Sequence, residues 1–509
     1  MEATNKDIKN YTVDSNIKLT GLEKKIFQTL LETIKEHQLK TTLRVAGGWV
    51  RDKIMGKESQ DIDIAMDDMF GEEFAKMLNE KLHPDGSKKF GVIKSNSEKS
   101  KHLETATMRI HGMMIDLVNL RSEKYTDDSR VPTIDIGTPE EDAFRRDLTI
   151  NSLFYNINEG IVEDFTQRGI QDLKDGIIRT PLDPLQTFLD DPLRVMRTIR
   201  FATRFDFKIL EEIYEAARNS KVLEAFVQKV TYERLGKEMD LMLLDRYPAN
   251  SIEYMYKFGI IQHLYKFPTH CLGTVNYCGL DFIISKEGDE SIFENFREFQ
   301  KNTFYTALLL PFASFEYMAK NKKDKVINKV MADSLKKSND VMKFVQTTIP
   351  YVEKAILFAN KTQNLESLND EQKLQLGQFL REAGPRWDSI VLLALANDYY
   401  DQYLAQSSEQ DPISDFRNIL DEEKLESLVS KYTHLNQIII QENLKNVHLV
   451  KSLLDGKDIC GIYEIKPGKA IKFIIDEQIK MQIINPSIDF EQMKVFLLEK
   501  KDEFLKLYS

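Results

Sequence analysis

Two carboxylates one residue apart, Asp61 and Asp63, stand among the isoleucines of "DIDIAM". If the stretch is a strand, its two-residue period turns both acids to one face and Ile62 and Ile64 to the other. Like charges held so close repel unless a cation lies between them, and hard oxygen ligands suit Mg²⁺, which keeps waters and phosphate oxygens in its shell. Upstream, Gly47 and Gly48 permit a tight turn whose N–H groups can approach phosphate, and Arg51 follows as a cation. A third acid, Asp116 in "MMIDLVNLR", sits on another strand-like run. Alone, a D-x-D is more often a pair of solvated acids. A glycine pair, an arginine, the D-x-D and a later acid, in that order, are the parts of a two-metal nucleotidyl transfer site.

Two further clusters carry charge. "PEEDAFRRDLTIN" presents Arg145, Arg146 and Asp147 ahead of an apolar run. It reads either as a solvated basic turn or as arginines for phosphate or ribose, oriented by the acid. "LDDPLRVMRTIRFATRFDF", read as a helix, puts Val195, Ile199 and Ala202 on one face and Arg197, Arg200 and Arg204 in a stripe opposite. That stripe suits RNA phosphates or ordinary salt bridges equally.

Asp191 and Arg194, three apart, are expected side by side in the first turn of that helix. As a simple ion pair they would contribute about 0.3 kcal/mol. As a base reader they would do more. A carboxylate beside a guanidinium complements the amino donor and ring-nitrogen acceptor shared by cytosine and adenine, whereas guanine and uracil would meet it acceptor to acceptor and donor to donor. Two mismatched buried polar groups, at roughly 1–3 kcal/mol each, would reject the wrong base.

The elements that must position these residues are legible in outline. Leu22, Ile26, Phe27, Leu30, Leu31 and Ile34 recur at helical spacing before the glycine turn. The short apolar runs "LRVAGG", "DIDIAM", "TATMRI", "MMIDLVNL", "NSLFYNI" and "GIVEDF" then read as strands of an α/β unit over about 40–180. After Pro181 and Pro184 helical periodicity dominates to the C-terminus. The run "NKKDKVINKV" is expected to be a solvated helix face.

At 509 residues the chain exceeds one hydrophobic core, and no stretch approaches the ~18 apolar residues a membrane span needs. Its net charge of −11 would repel nucleic acid, so a polyanion must be held by locally clustered Lys and Arg. Cys271, Cys278 and Cys460 lack metal-ligand spacing and cannot all pair, which fits a reducing compartment and core positions. The first forty residues contain no arginine and no apolar signal core, unlike a secretory or mitochondrial leader.

In these segments the sequence resembles the class II CCA-adding enzymes, the ATP(CTP):tRNA nucleotidyltransferases, and is most similar to the yeast-type eukaryotic members. "GGWVRD" with "DIDIA" resembles the metal and triphosphate segment, and "RRD" the ribose-contacting one. "DFTQRGIQDLKDGIIR" matches a head–neck coupling segment through Asp164, Gly169 and Arg179. "DDPLR" matches the templating segment, with Asp190 where Glu is common, and "TYERLGKEM" a neck-stabilising one through Glu233, Arg234 and Glu238. "AGPRWDSIVLLALA" and "LLDGKDICGIYEIKPGKAI" resemble fungal members over the C-terminal part.

The resemblance implies an α+β fold: a small mixed β-sheet head followed by an all-α neck, body and tail in a seahorse shape. The expected division is an N-terminal helical extension at 1–40, a catalytic head at 41–180, a base-recognising neck at 181–250, a helical body at 251–400 and a tRNA-binding tail at 401–509. It implies addition of CCA to the tRNA 3′ end from CTP and ATP with two Mg²⁺, metal binding by Asp61 and Asp63 with Asp116 as a third catalytic acid, and no membrane or obligate protein partner. A cytoplasmic location, with nuclear and mitochondrial pools, suits a eukaryotic member. "RSEKYTDDSRVPTIDIGTPEE" corresponds to the family's flexible loop, and its polar composition and Pro132 read as a long loop. The rival readings are a poly(A) polymerase of the same superfamily and a catalytically inactive RNA-binding protein.

Overall fold

A sheet with one parallel pair at its centre carries the acids. The computed structural model describes residues 12–87, 90–93, 105–126, 129–265, 296–319, 322–404 and 422–506, and the chain divides into two units, Met1–Lys266 and Phe267–Ser509. In the first unit the strands are β1 (Leu43–Ala46), β2 (Ile62–Met66), β3 (Phe90–Ile93), β4 (Thr105–Ile110), β5 (Met113–Asn119), β6 (Arg121–Thr126), β7 (Ser129–Ile136), β8 (Phe154–Asn156), β9 (Ile161–Glu163) and the short parallel pair β10 (Ile177–Ile178) and β11 (Lys208–Ile209). Seven of them form one mixed sheet in the order β3-β4-β5-β2-β1-β8-β9. β2 and β5 run parallel, and the other neighbours are antiparallel.

The six apolar runs are strands β1, β2, β4, β5, β8 and β9. The loop expected after β5 is instead the β6–β7 hairpin, with Arg121 opposite Ile136 and Lys124 opposite Thr133. Pro132, which has no N–H to give, falls where the register shifts between Lys124 and Thr126. The polar strand β6 gives no apolar alternation to read, and Pro132 masks the short alternation of Ile134 and Ile136 in β7.

The N-terminal helix α1 (Gly21–Glu36) starts in a capping box, Thr20 N–H donating to Glu23 Oε2 at 2.7 Å and Glu23 N–H to Thr20 Oγ1 at 3.2 Å. Ile26, Phe27 and Leu30 are buried, and so is Glu23, whose carboxylate takes Lys53 Nζ at 2.9 Å and Trp49 Nε1 at 3.0 Å. Those partners lie on α2 (Gly48–Ile54), so the helix entering the site is held from behind. α3 (Gly71–Leu82), α4 (Pro139–Phe144) and α5 (Gly169–Asp175) complete the sheet region.

The helices that follow are α6 (Pro184–Asp190), α7 (Arg194–Phe205), α8 (Glu211–Ala217), α9 (Ser220–Lys229), α10 (Tyr232–Leu243) and α11 (Pro248–Lys257). Pro184 is the first residue of α6, capped by Asp183 accepting from Gln186 N–H at 3.0 Å. Val195, Ile199 and Ala202 of α7 are buried, as their spacing predicts.

The second unit is mostly helical. Helices including Asn339–Thr362, Asp370–Ala383, Trp387–Tyr399 and Glu422–Gln441 close around Leu380, Trp387, Ile390, Leu435 and Ile439. Gly456–Tyr463, Lys469–Ile484 and Phe490–Glu499 enclose a smaller core around Leu454, Ile474 and Met493. The charged run differs from its expectation: Lys322–Lys325 is a strand paired with Glu316–Ala319, and helix begins at Val326. A strand alternates its lysines between two faces, which separates like charges that one helix face would crowd. Cys460 is half-buried rather than core; Cys271 and Cys278 lie outside the described residues.

Candidate active site

In the parallel ladder Asp63 lies directly opposite Asp116, with Ile62 and Ile64 opposite Ile115 and Leu117. The pleat buries those four apolar residues and turns the acids toward a cleft of about 1020 Å³, which Asp61 also lines from the position before β2. Thr107 of β4 donates its hydroxyl to Asp116 Oδ1 at 2.6 Å. Burial, and then the neighbouring Asp61 and Asp116, push the Asp63 carboxyl up to about 6, with Arg146 and Arg121 opposing them in part.

A carboxyl that resists ionising marks a place short of positive charge. The donors there are all oxygen, which suits a hard divalent cation. Among the described residues no three His, Cys, Asp or Glu side chains close into a ligand set of their own. The acids form an open edge, to which waters and phosphate oxygens can add in the manner Mg²⁺ prefers.

The glycine turn lies beside this edge. Gly47 has φ +74°, a backbone conformation that favours glycine, and a Cβ there would stand 2.6 Å from Arg146 Nη1 and displace that guanidinium. Gly48 opens α2. Arg51 is buried: Nε and Nη2 pair with Asp52 Oδ1 at 2.9 and 2.8 Å, and Nη1 donates to Asn151 Oδ1. Its guanidinium lies 5.0 and 4.9 Å from the Phe201 and Phe205 ring centroids, which ties α2 to α7.

Arg145, Arg146 and Asp147 all line the cleft. Sequence reasoning missed their organiser, Asp142, a buried acid on α4. Its Oδ1 accepts from Arg145 Nε at 2.9 Å, and its Oδ2 from Arg146 Nε and Nη2 at 2.9 and 2.8 Å. The three- and four-residue spacing in "EDAFRRD" was the signal available. Asp147 is enclosed, accepting from Leu148 N–H at 2.9 Å, Asn151 Nδ2 at 3.0 Å and Arg197 Nε at 2.7 Å. Burial would raise its carboxyl, but Arg197, Asn151 and Arg194 outweigh it and hold the group at about 2.

Asp191 and Arg194 both line the cleft, but they do not share a helical turn: Asp191 closes α6 and Arg194 opens α7. Asp191 caps α6 in extended conformation, and its two oxygens take Arg234 Nη1 and Nη2 at 3.2 and 2.7 Å. The proline after Asp191 starts a new segment, so α7 begins only at Arg194. Arg194 is buried and reaches two main-chain oxygens, of Arg145 at 2.6 Å and Thr187 at 3.3 Å. The arginine stripe is engaged in salt bridges: Arg197 with Asp147 at 2.7 Å, Arg200 with Glu238 at 2.6 Å and Arg204 with Asp52 at 4.0 Å. Arg234 and Glu238 thus bind α10 to α6 and α7, while Glu233 is exposed in the first turn of α10.

Asp164, Gly169 and Arg179 lie behind the lining. Asp164 Oδ2 accepts from Ile170 N–H at 3.0 Å in the first turn of α5. A Cβ on Gly169 would come within 2.6 Å of the Thr149 carbonyl oxygen. Thr149 N–H donates to the Arg179 carbonyl at 2.9 Å, and Asp172 joins them by accepting Thr149 Oγ1 at 2.7 Å and Arg179 Nε at 3.2 Å. These residues knit α5 and the chain leading to α6 onto the sheet region.

Residues 43–179 match the family described as poly A polymerase head domain, and 206–271 match the probable RNA and SrmB-binding site of polymerase A. The chain is 37% identical to the mitochondrial CCA tRNA nucleotidyltransferase of Saccharomyces cerevisiae, over 88% of this chain and 86% of that one. The chain belongs to the CCA tRNA nucleotidyltransferase family. The tRNA nucleotidyltransferase cca1 of Schizosaccharomyces pombe is 34% identical, over 96% of this chain and 97% of its own. Among solved structures, a CCA-adding enzyme in complex with ATP shares the fold at a TM-score of 0.60 and 22% identity, covering 95% of each chain. The mixed-sheet head with a mostly helical remainder is the architecture the resemblance implied.

Proposed function

We propose that the protein adds C, C and A to the 3′ end of tRNA from CTP and ATP and releases pyrophosphate. The observation that carries this reading is the acid edge of Asp61, Asp63 and Asp116 facing a cleft that is also lined by many arginines. The relatives' names support the same substrates: the yeast protein is called a CCA tRNA nucleotidyltransferase, and a Thermotoga maritima structure of this fold, with a TM-score of 0.58, is a CCA-adding enzyme complexed with tRNA.

Asp61 and Asp63 would hold two Mg²⁺, with Asp116 as the third acid, held in place by Thr107. Bound Mg²⁺ would lower the pKa of the attacking 3′-hydroxyl and offset charge on the triphosphate and the departing pyrophosphate. The Gly47–Gly48 turn and Arg51 are assigned to the triphosphate, and Arg145, Arg146 and Asp147 to the nucleotide and its ribose. Asp191 and Arg194 read the base edge, accepting from the amino group and donating to the ring nitrogen of C or A. Arg234 orients Asp191 for that task, while Glu233 and Glu238 act with it to stabilise the neck. Asp164, Gly169 and Arg179 couple head to neck.

The proposed division is an N-terminal extension at 1–40, head at 41–180, neck at 181–250, body at 251–400 and tRNA-binding tail at 401–509. Among the described residues no helix is long and apolar enough to cross a membrane. The yeast relative is named as mitochondrial, and we assign the protein to the cytoplasm with mitochondrial and nuclear pools.

The test is incorporation on a tRNA ending at its discriminator base, with CTP, ATP or both, read by product length and sequence. The expected product ends in CCA and stops. Long A tracts on generic RNA would favour the poly(A) polymerase reading. No pyrophosphate release with tRNA and both nucleotides would favour a purely RNA-binding protein.

A further inference from the structure

The arginine pair and the root of the β6–β7 hairpin meet at one carboxylate. Asp142 is 1% exposed, and its oxygens divide the arginines between them, Oδ1 to Arg145 and Oδ2 to Arg146. Oδ1 also accepts the backbone N–H of Arg121, the first residue of β6, at 3.0 Å. The far side of the hairpin closes on the same point, for a Cβ on Gly137 would lie 2.4 Å from Ser122 N and 2.5 Å from the Arg121 carbonyl carbon. Beyond the pair, the Arg145 carbonyl takes Arg194 Nη2 at 2.6 Å, so the node reaches the start of α7.

Burial would push the Asp142 carboxyl up, but the adjacent Arg146 and Arg145 outweigh it and hold the group below the usual carboxylate range. It therefore stays charged at neutral pH. Its oxygens are occupied by the chain itself, whereas the Arg145 and Arg146 side chains are 20% and 22% exposed and line the cleft.

We propose that Asp142 is a positioning residue for nucleotide binding, fixing the Arg145 and Arg146 guanidiniums in register with the hairpin root. This rests on the assignment of those arginines to the nucleotide. Without this carboxylate the Arg146 guanidinium keeps its bond to the Asn151 carbonyl at 3.1 Å and its contact with the Phe154 ring, but both arginines lose the bonds that fix their Nε atoms, and more rotamers open to them.

Single-nucleotide incorporation gives KM and kcat separately, and equilibrium dialysis gives the Kd for CTP in variants that turn over slowly. Asp142→Asn keeps the shape, removes the charge and sets an amide N–H against a guanidinium. KM and Kd for CTP and ATP are expected to rise about ten- to a hundredfold, the loss of a charge-assisted hydrogen-bond partner, with kcat and tRNA affinity little changed. Adding Asp142→Asn to the Arg145→Ala, Arg146→Ala double variant, itself weakened for nucleotide, should have little further effect on nucleotide affinity, because the guanidiniums it positions are gone.

An additive loss in the triple variant overturns the proposal, as does an Asp142→Asn protein with unchanged nucleotide affinity. If the double arginine variant binds CTP normally, the assignment of those arginines fails and the inference falls with it. If the double variant is weakened and Asp142→Asn is not, only the inference falls. Should Asp142→Asn fail to fold, Asp142→Glu, which keeps the charge but displaces it by one methylene, takes its place with the same outcomes required.

Discussion

The acid edge of the cleft and Asp398 of the helical unit both set carboxylates against apolar surroundings, and they settle the charge in opposite ways. Asp398 is buried and saturated: Oδ2 accepts from Lys431 Nζ and from Tyr432 Oη at 3.0 Å, and Oδ1 from Gln402 Nε2 at 2.6 Å. Lys431 is buried too, with a second bond to Asn360 Oδ1 at 2.8 Å. At the cleft, Asp63 faces Asp61 and Asp116, and its carboxyl is pushed up to about 6 by burial and by those like charges. A balanced buried charge is what a scaffold needs, whereas charge left in deficit is a binding capacity that something from outside must complete. The helical cluster is a fastening, and the acid edge is a site.

Crossed substitutions test that distinction. Asp63→Asn keeps the side chain's shape, and the rate of nucleotide incorporation is expected to fall about a thousandfold or more, the scale of losing metal-borne stabilisation of transition-state charge. Lys431→Met should do the reverse. It strands Asp398 without a counter-charge and is expected to cost about 3–5 kcal/mol of stability, read as a lowered denaturation midpoint, while incorporation per folded molecule at low temperature stays near wild type. If both variants lose both properties, the two clusters do not differ in the way argued.

Stability measured in the presence of a chelator sharpens the contrast. Between 3.8, the ordinary value, and about 6, the unfolded Asp63 carboxyl is ionised while the folded one keeps its proton. The metal-free folded state therefore loses stability as pH rises through that window, and above it the whole penalty applies, at most roughly 3 kcal/mol. Asp63→Asn should be more stable than the wild type at pH 7 in EDTA by up to that amount, with the difference vanishing below about pH 4. An unchanged or lowered stability at pH 7 would mean that the acids are not in electrostatic conflict.

Local chemistry was legible in the sequence and distant partnership was not. Asp63 in β2 and Asp61 just before it both reach the cleft two residues apart, and Gly47 belongs to a turn whose positive φ favours glycine; both follow from a few consecutive residues. Asp142 was equally local, three and four residues from its arginines, but its acid was hidden in the charged run "PEEDAF". By contrast Asp191 pairs with Arg234, forty-three positions on, and Asp147 with Arg197, fifty positions on. No spacing rule reports such pairs, since they exist only once α7 and α10 have packed. β3 and the β6–β7 hairpin escaped for another reason: "FGVI" is short and follows a polar stretch, β6 is a polar strand, and the proline in β7 makes "SRVPTIDI" read as loop.

The smallest effect expected is also the most specific. Arg194 is placed where it could serve either cluster type, because it lines the cleft yet is buried and bonded to the carbonyls of Arg145 and Thr187. As a base reader it donates to the ring nitrogen that C and A share, so Arg194→Ala should let U and G compete. The ratio of correct to incorrect nucleotide is expected to fall about ten- to a hundredfold, the scale of one mismatched buried polar group, measured by sequencing product ends formed with all four nucleotides present. As a fastening between α4, α6 and α7 it would act otherwise: rate and stability would drop together, and the product ends would remain CCA. Arg234→Ala discriminates further, since it releases Asp191 without touching Arg194. If base choice loosens in both variants, the carboxylate and the guanidinium work as one reader, held from opposite sides by α10 and by the Arg145 carbonyl.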